Sequence, residues 1–293
     1  MTSKTRAELA LVAITVIWGS TFVLVKEALA DVSTILFLAL RFGLAALVLA
    51  AVYRKSLRRS GLWPGVAAGC LLFVAYWFQT SGLKLTTASK SAFLTGLSIP
   101  MVPLLGSFVY KIRPRLFEAV GIGIATLGMA LMTLPSSGFA INRGDVLSIF
   151  CAIAFAMHIV LVSHYTPMTG FETLAVTQIA VAALLGILTF RVAEPVRFQA
   201  NPRVAIAVVV TGLLATAVAF TTMAWAQQYT TATRSALILA LEPVVAWVTS
   251  YALFGETLSF RGQAGAGLIL AGVLMVELKR GVSETDTPKA ASL

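Results

Sequence analysis

The chain repeats itself. Ala88, Ser91, Ala92, Leu97, Gly121, Gly123 and Gly128 recur without a gap as Ala232, Ser235, Ala236, Leu241, Gly265, Gly267 and Gly272, a constant shift of 144 (88 to 232). Both copies lie in sequence apolar enough for membrane helices. A duplicated half in a bilayer builds two bundles that move against each other around a site between them. The fold must be one that two similar halves complete together.

Composition agrees with a bilayer setting, because 58% hydrophobic and 12% charged residues and a mean hydropathy of +0.90 are far from the roughly 25% charged of soluble domains. At about 20 residues per span, ten apolar runs are legible: Glu8 to Ala30, Thr34 to Tyr53, Trp63 to Leu85, Ser91 to Tyr110, Leu116 to Leu134, Gly144 to His164, Phe171 to Phe190, Arg203 to Tyr229, Thr233 to Phe254, and Phe260 to Leu278. The expected class is an all-α polytopic membrane protein with ten transmembrane helices.

A net charge of +10 invites a nucleic-acid reading, but the basic residues are scattered at span ends rather than gathered on one face, so no nucleic-acid partner is expected. They read instead as topology signals. With the N-terminus inside, Lys4, Arg6, Arg54, Lys55, Arg58, Arg59, Lys111, Arg113 and Arg115 fall inside and only Lys26, Lys84 and Lys90 outside, as the positive-inside rule requires. The second half is less decisive, and its orientation follows from the helix count. The first apolar run is too long for a signal-peptide core, and Lys26-Glu27 interrupts the cleavage region, so it reads as a retained helix. Cys70 and Cys151 fall inside apolar spans and imply neither a disulfide nor a metal site; no metal and no cofactor is expected. The segment 281–293, rich in Ser, Thr and Ala, is expected to be a disordered cytoplasmic tail.

The earlier spans align with a different shift, 137: Leu38-Ala39-Leu40-Arg41 against Ala175-Val176-Thr177-Gln178, and Ala45-Ala46-Leu47 against Ala182-Ala183-Leu184. Each half then carries five spans. An odd number forces the second copy to enter from the opposite face, so the expected organisation is two five-helix inverted-topology repeats, 1–137 and 138–280, with both termini cytoplasmic. The glycines are expected to pack helices closely.

Leu241-Glu242-Pro243-Val244-Val245-Ala246, followed by Phe254-Gly255-Glu256, Leu258, Gln263, Gly265, Leu268-Ile269 and Gly272, resembles the closing part of the second repeat in the drug/metabolite transporter superfamily, EamA-like branch. Trp18-Gly19-Ser20-Thr21-Phe22 resembles its first-helix motif and Arg41-Phe42 its second-helix motif. The first repeat departs from the pattern, with Ser98-Ile99-Pro100 where a residue resembling Glu242 is wanted. The resemblance spans nearly the whole chain. It implies an exporter or permease of small metabolites in the bacterial plasma (inner) membrane, and similar proteins include amino-acid exporters.

Polar and aromatic residues at helical spacing pick out the candidate lining of a central cavity. Helix four carries Ser91, Thr95 and Ser98, and helix nine Ser235, Leu239 and Glu242. Helix three carries Tyr76, Gln79, Leu83 and Thr86, against Phe220, Met223, Gln227 and Thr230 on helix eight. Trp18 and Thr21 pair with Phe155 and His158. Glu242 is the leading candidate, since an ionisable group near mid-membrane costs about 2.5–3.5 kcal/mol on insertion scales. Either it serves a substrate or proton, or it stabilises the irregularity that Pro243 introduces. His158 fits a proton-transfer role or a neutral packing role. Arg41 fits a carboxylate clamp or a snorkelling side chain. Trp18, Tyr76 and Trp225 fit either the aromatic walls of a ligand site or ordinary packing.

Other classes lack their chemistry. The nearest stretch to a Gly-x-Ser-Gly element is Gln79-Thr80-Ser81-Gly82, and Asp31 and Asp145 stand at span ends, too far out to form an intramembrane carboxylate pair. There is no Walker A sequence and no Thr-Val-Gly-Tyr-Gly filter. The expected function is alternating-access export of small amphipathic metabolites, amino acids including aromatic ones foremost, with protons as candidate coupling ions. A broad drug exporter or a sugar or nucleoside permease is the alternative, and an intramembrane enzyme ranks behind both. The expected site is Trp18, Thr21, Tyr76, Gln79, Ser98, His158, Phe220, Met223, Trp225 and Glu242.

Overall fold

The structure, a computed structural model, describes residues 2–86, 88–111, 114–134, 141–255 and 257–278. Its helices are α1 (Ser3–Ala28), α2 (Thr34–Tyr53), α3 (Leu62–Leu85), α4 (Ala88–Gly96), α5 (Ser98–Tyr110), α6 (Leu116–Thr133), α7 (Arg143–Thr169), α8 (Phe171–Thr189), α9 (Pro202–Gly212), α10 (Ala219–Ala226), α11 (Ala232–Leu239), α12 (Glu242–Phe254) and α13 (Phe260–Leu278). Among the described residues nine helical segments are long and apolar enough to cross a bilayer, and Phe260–Val276 is a shorter apolar helix. The halves' expected boundary at 137/138 and the tail 281–293 lie outside the described residues.

Local chemistry sets the ends. The Thr2 side chain accepts from the Thr5 amide and starts α1 at Ser3, five residues earlier than hydropathy alone indicates. Asn142 and Asp145 cap α7 reciprocally, the side-chain exchange that supplies orphan first-turn amides. That helix continues past Pro167 to Thr169, because a proline so near the C-terminus removes only one late hydrogen bond. Outward-facing Leu47, Leu104 and Phe108 are 73%, 68% and 87% exposed, as lipid contact requires. Cys151 is buried, whereas Cys70 is exposed on the surface of α3.

Three spans are irregular. The fourth and ninth, each expected as one helix, break between α4 and α5 and between α11 and α12. The causes are Pro100 and Pro243, which have no amide to offer the carbonyls of Gly96 and Leu239. The chain tightens there: the Leu97 amide is shared between the Phe93 and Leu94 carbonyls, and the Leu241 amide reaches back only to Ile238. The eighth span passes from α9 to α10 through a π-helical stretch, Leu213–Val218.

Packing shows how the halves relate. On α6 a Cβ at Gly121 would come within 2.9 Å of the Gly272 carbonyl, and one at Gly128 within 2.6 Å of the Gly265 carbonyl. Ascending numbers on α6 meet descending numbers on α13, so the two equivalent helices cross antiparallel. Each contact joins a glycine to the equivalent of the other. Likewise α1 packs on α11 and α12 as α7 packs on α4 and α5. The protein is an all-α membrane fold of inverted five-helix halves. Gly123 and Gly267, expected to pack as well, have open space where a Cβ would go. Two residues from Gly121 is about 200° around a helix, so they face away.

This crossing separates the glycines experimentally. Gly128→Val should be overpacked by about 1–3 kcal/mol, lowering the thermal midpoint and folded yield of the detergent-solubilised protein. Gly123→Val should leave both near wild type, as measured by tryptophan-fluorescence melting.

Candidate functional site

A cavity of about 390 Å³ lies between the halves, a size suited to small ligands. It extends from mid-bundle toward the face opposite the N-terminus, reaching Val25, Thr133 and Leu258. Nine of the ten expected residues line it: Trp18, Thr21, Tyr76, Gln79, Ser98, His158, Phe220, Met223 and Glu242. Trp225 does not. It packs on the ring of Tyr229 at 5.5 Å and against the core beside α10, since two residues from Met223 is the other side of the helix. The hydropathy reading missed Met129, Met132 and Thr133 of α6 and Trp247 of α12, which carry no polar stripe.

Aromatic rings form the walls. Tyr76 meets Phe42, Phe155 and Phe220 edge-on at 5.4, 5.3 and 6.1 Å, and Trp18 lies 5.3 Å from Phe220. Edge-to-face pairs stiffen such a wall by about 0.5–1.5 kcal/mol each. The wall is anchored in the π-helical stretch, where the Ala215 carbonyl accepts both Trp18 Nε1 at 2.8 Å and Arg41 Nη2 at 3.1 Å.

Arg41 does not snorkel; it lines the cavity with its guanidinium held by neighbours. It is 4% exposed, gives Nε to Thr216 Oγ1 at 2.6 Å and Nη2 to the Tyr76 hydroxyl at 3.2 Å, and lies over the Tyr76 ring at 4.5 Å. His158 is held by one ring nitrogen, its buried Nδ1 having no hydrogen-bond partner among the described residues. Its Nε2 is hydrogen-bonded to Gln178 Oε1 at 2.7 Å, and its ring meets Phe220 edge-on at 5.8 Å. The Thr21 hydroxyl donates to its own helix at Ile17.

Other polar groups face the cavity unclaimed. Glu242 is the first residue of α12, and among the described residues its carboxylate has no hydrogen bond or ion pair. The buried Trp247 Nε1 has no partner there either. Gly19 brings α1 against this break: a Cβ on it would come within 3.0 Å of the Glu242 carbonyl and 3.1 Å of the Ala246 amide. The site therefore offers a carboxyl group, an indole donor and flat apolar walls. Among the described residues no group of three or more metal-ligating side chains gathers.

An all-α bundle of inverted halves around a small-molecule cavity defines a polytopic membrane transporter. The profile of the EamA-like transporter family matches residues 5–134 and 142–278, and the chain belongs to that family. Relatives include an uncharacterized transporter of Archaeoglobus fulgidus, 34% identical over 273 residues, 93% of this chain and 86% of that protein. The uncharacterized transporter YyaM of Bacillus subtilis (strain 168) is 26% identical over 87% of this chain and 88% of its own. The uncharacterized inner membrane transporter YedA of Escherichia coli (strain K12) is 24% identical over 92% and 90%. One solved crystal structure superposes with a TM-score of 0.80, covering 95% of this chain and 99% of its own at 20% identity, a likeness of fold.

Single cysteines placed in a functional background lacking Cys70 and Cys151 test the lining. Cysteines at Gln79, Ser98, Phe220 and Met223 should react with a polar thiol reagent applied from the face opposite the N-terminus, and substrate should protect them. A cysteine at Trp225 should not react. Equal labelling at Trp225 and Met223 would refute the assigned face of α10.

Proposed function

We propose that the chain exports small amphipathic metabolites carrying an amino group, amino acids including aromatic ones foremost, by alternating access around this cavity. The carrying observation is the Glu242 carboxylate, unpaired among the described residues and facing aromatic walls. An ammonium group completes that carboxylate while an apolar or aromatic body lies on Trp18, Tyr76 and Phe220. The repeats 1–137 and 138–280 act as the two moving halves. The basic loops orient both termini to the cytoplasm, and the cavity then faces outward.

Proton coupling follows from the same group. One carboxylate holds either a proton or an ammonium ion, so releasing substrate outside and taking up a proton there couples export to an inward proton gradient. His158 acts through position, its Nε2 held by Gln178.

One observation favours a second reading, export of lipophilic cations. Arg41 gives Nε and Nη2 to the neutral groups of Thr216, Ala215 and Tyr76, which holds its guanidinium to the wall, whereas the Glu242 carboxylate has no hydrogen bond or ion pair among the described residues and is free to meet a cation.

Proteoliposomes distinguish the readings. Tryptophan counterflow, with tryptamine and a quaternary ammonium dye as competitors, reports the class; counterflow of the dye without any of tryptophan would favour the second reading. Glu242→Gln removes a charge-assisted hydrogen bond of about 1.5–3 kcal/mol, so apparent affinity for tryptamine should fall about 10–100-fold. Its pH-gradient-driven accumulation should vanish while counterflow at saturating substrate persists. Gradient-driven transport unchanged in Glu242→Gln would refute the coupling role.

A further inference from the structure

A second cavity, about 530 Å³, lies at the N-terminal face, between the ends of α5, α7 and α10 and the starts of α1, α6 and α11. Its base is Arg234 of α11. This guanidinium is 6% exposed and bridges both halves: Nε donates to Glu118 Oε1 of α6 at 3.3 Å, and Nη1 lies 3.9 Å from Glu8 Oε1 of α1. The second of these is longer than a hydrogen bond. Of five N–H donors on the group, one is used, and buried Nη1 has no hydrogen-bond partner among the described residues.

Arg234 is thus the converse of Arg41. Glu118 is already served, because its Oε2 accepts the Arg115 amide at 2.9 Å. The guanidinium keeps a planar donor edge for a planar acceptor. In the same lining, Gln227 Oε1 is buried without a hydrogen-bond partner among the described residues. The stacked rings of Tyr110 and His164, 3.8 Å apart, supply a flat wall. Lys4 and Arg115 add positive charge at the rim.

We infer that Arg234 is a carboxylate-binding residue for the transported solute at the N-terminal face, and that the incoming carboxylate displaces Glu118 and Glu8 from the guanidinium, releasing the bridge that holds this face shut. This rests on the transport reading above. It assigns carboxylate recognition to a place apart from the central cavity, where Arg41 is held to the wall by Thr216, Ala215 and Tyr76. Exchange of one anionic partner for another keeps the buried arginine paired throughout, whereas simply breaking the bridge would leave it uncompensated; of the displaced carboxylates, Glu118 keeps the Arg115 amide, and Lys4 and Arg115 of the same cavity supply compensating charge.

Three indole probes separate the groups: tryptophan, tryptamine without the carboxylate, and 3-indolepropionate without the amine. The full chain in detergent should bind 3-indolepropionate, Arg234→Gln should bind it at least tenfold more weakly, and Arg234→Lys should restore part of the loss. Tryptamine binding, at Glu242, reports that a variant is folded. Glu118→Gln removes the competing carboxylate and should tighten 3-indolepropionate binding about tenfold, a gain that mere structural damage does not give. In vesicles presenting the N-terminal face, 3-indolepropionate should raise thiol labelling of Met223→Cys. No 3-indolepropionate binding by the wild type, equal binding by folded Arg234→Gln, no gain in Glu118→Gln, or unchanged Met223→Cys labelling each overturns the inference. Absent tryptophan counterflow alongside Arg234-dependent binding would overturn the transport reading alone.

Discussion

Inside a bilayer every backbone carbonyl needs an internal partner, and this protein builds its cavity where the chain breaks that rule and side chains repair it. The π-helical stretch at Leu213–Val218 presents the Ala215 carbonyl sideways, and Trp18 and Arg41 from the other half take it up. That repair holds Tyr76 and, through it, Phe155 and Phe220. At Pro243 the same logic works differently. The break starts a new helix at Glu242, and Gly19 lets α1 close on its backbone. The irregular backbone lies where it lines a cavity, the condition under which membranes tolerate it.

The halves share a scaffold and differ in charge. Antiparallel contact of α6 with α13 through Gly121, Gly128, Gly265 and Gly272 keeps the framework symmetric. Ser98 stands opposite Glu242 across the 144-residue shift (98 to 242), and Gln178 opposite Arg41 across the 137-residue shift (41 to 178). Both members of the second pair became buried anchors, Gln178 to His158 and Arg41 to Thr216. The first pair did not. The carboxylate of Glu242 is thus present on one side of the pseudo-symmetric cavity, with a serine at the equivalent position.

Much of the scaffold was legible because spans are long apolar runs: Thr34 to Tyr53 and Phe260 to Leu278 appear with the expected ends. The proline breaks were half legible, since Pro243 declares a missing donor while the chain's response one turn earlier does not show. The π-helical stretch was invisible. Leu213-Leu-Ala-Thr-Ala-Val218 contains no breaker, and the distortion is paid by side chains about 200 positions away, as the Trp18 to Ala215 separation of 197 shows. Nothing in the sequence marks Arg234: it stands three residues after its helix cap, Thr231, as a span-end charge does, and its burial depends on Glu118, 116 positions distant. Trp225 was grouped by residue type although its spacing places it off the face of Phe220 and Met223.

The partition between the two cavities is thin enough to matter for the cycle. Ile99 lines the central cavity and Val102 the one at the N-terminal face; Met223 and Gln227 divide in the same way on α10. Three or four residues of helix are one turn, about 5 Å, so an apolar layer one turn deep separates the compartments. Ile99, Val102 and Met223 belong to the cluster in which α1, α5, α6, α7, α10, α11 and α13 meet, next to the break between α4 and α5. At the N-terminal face the halves are joined by apolar contacts and by the Arg234 bridge to α1 and α6. Dispersion contacts re-form after a small slide, whereas an ion bridge between the halves is either made or broken, so the two kinds of contact resist displacement in different ways.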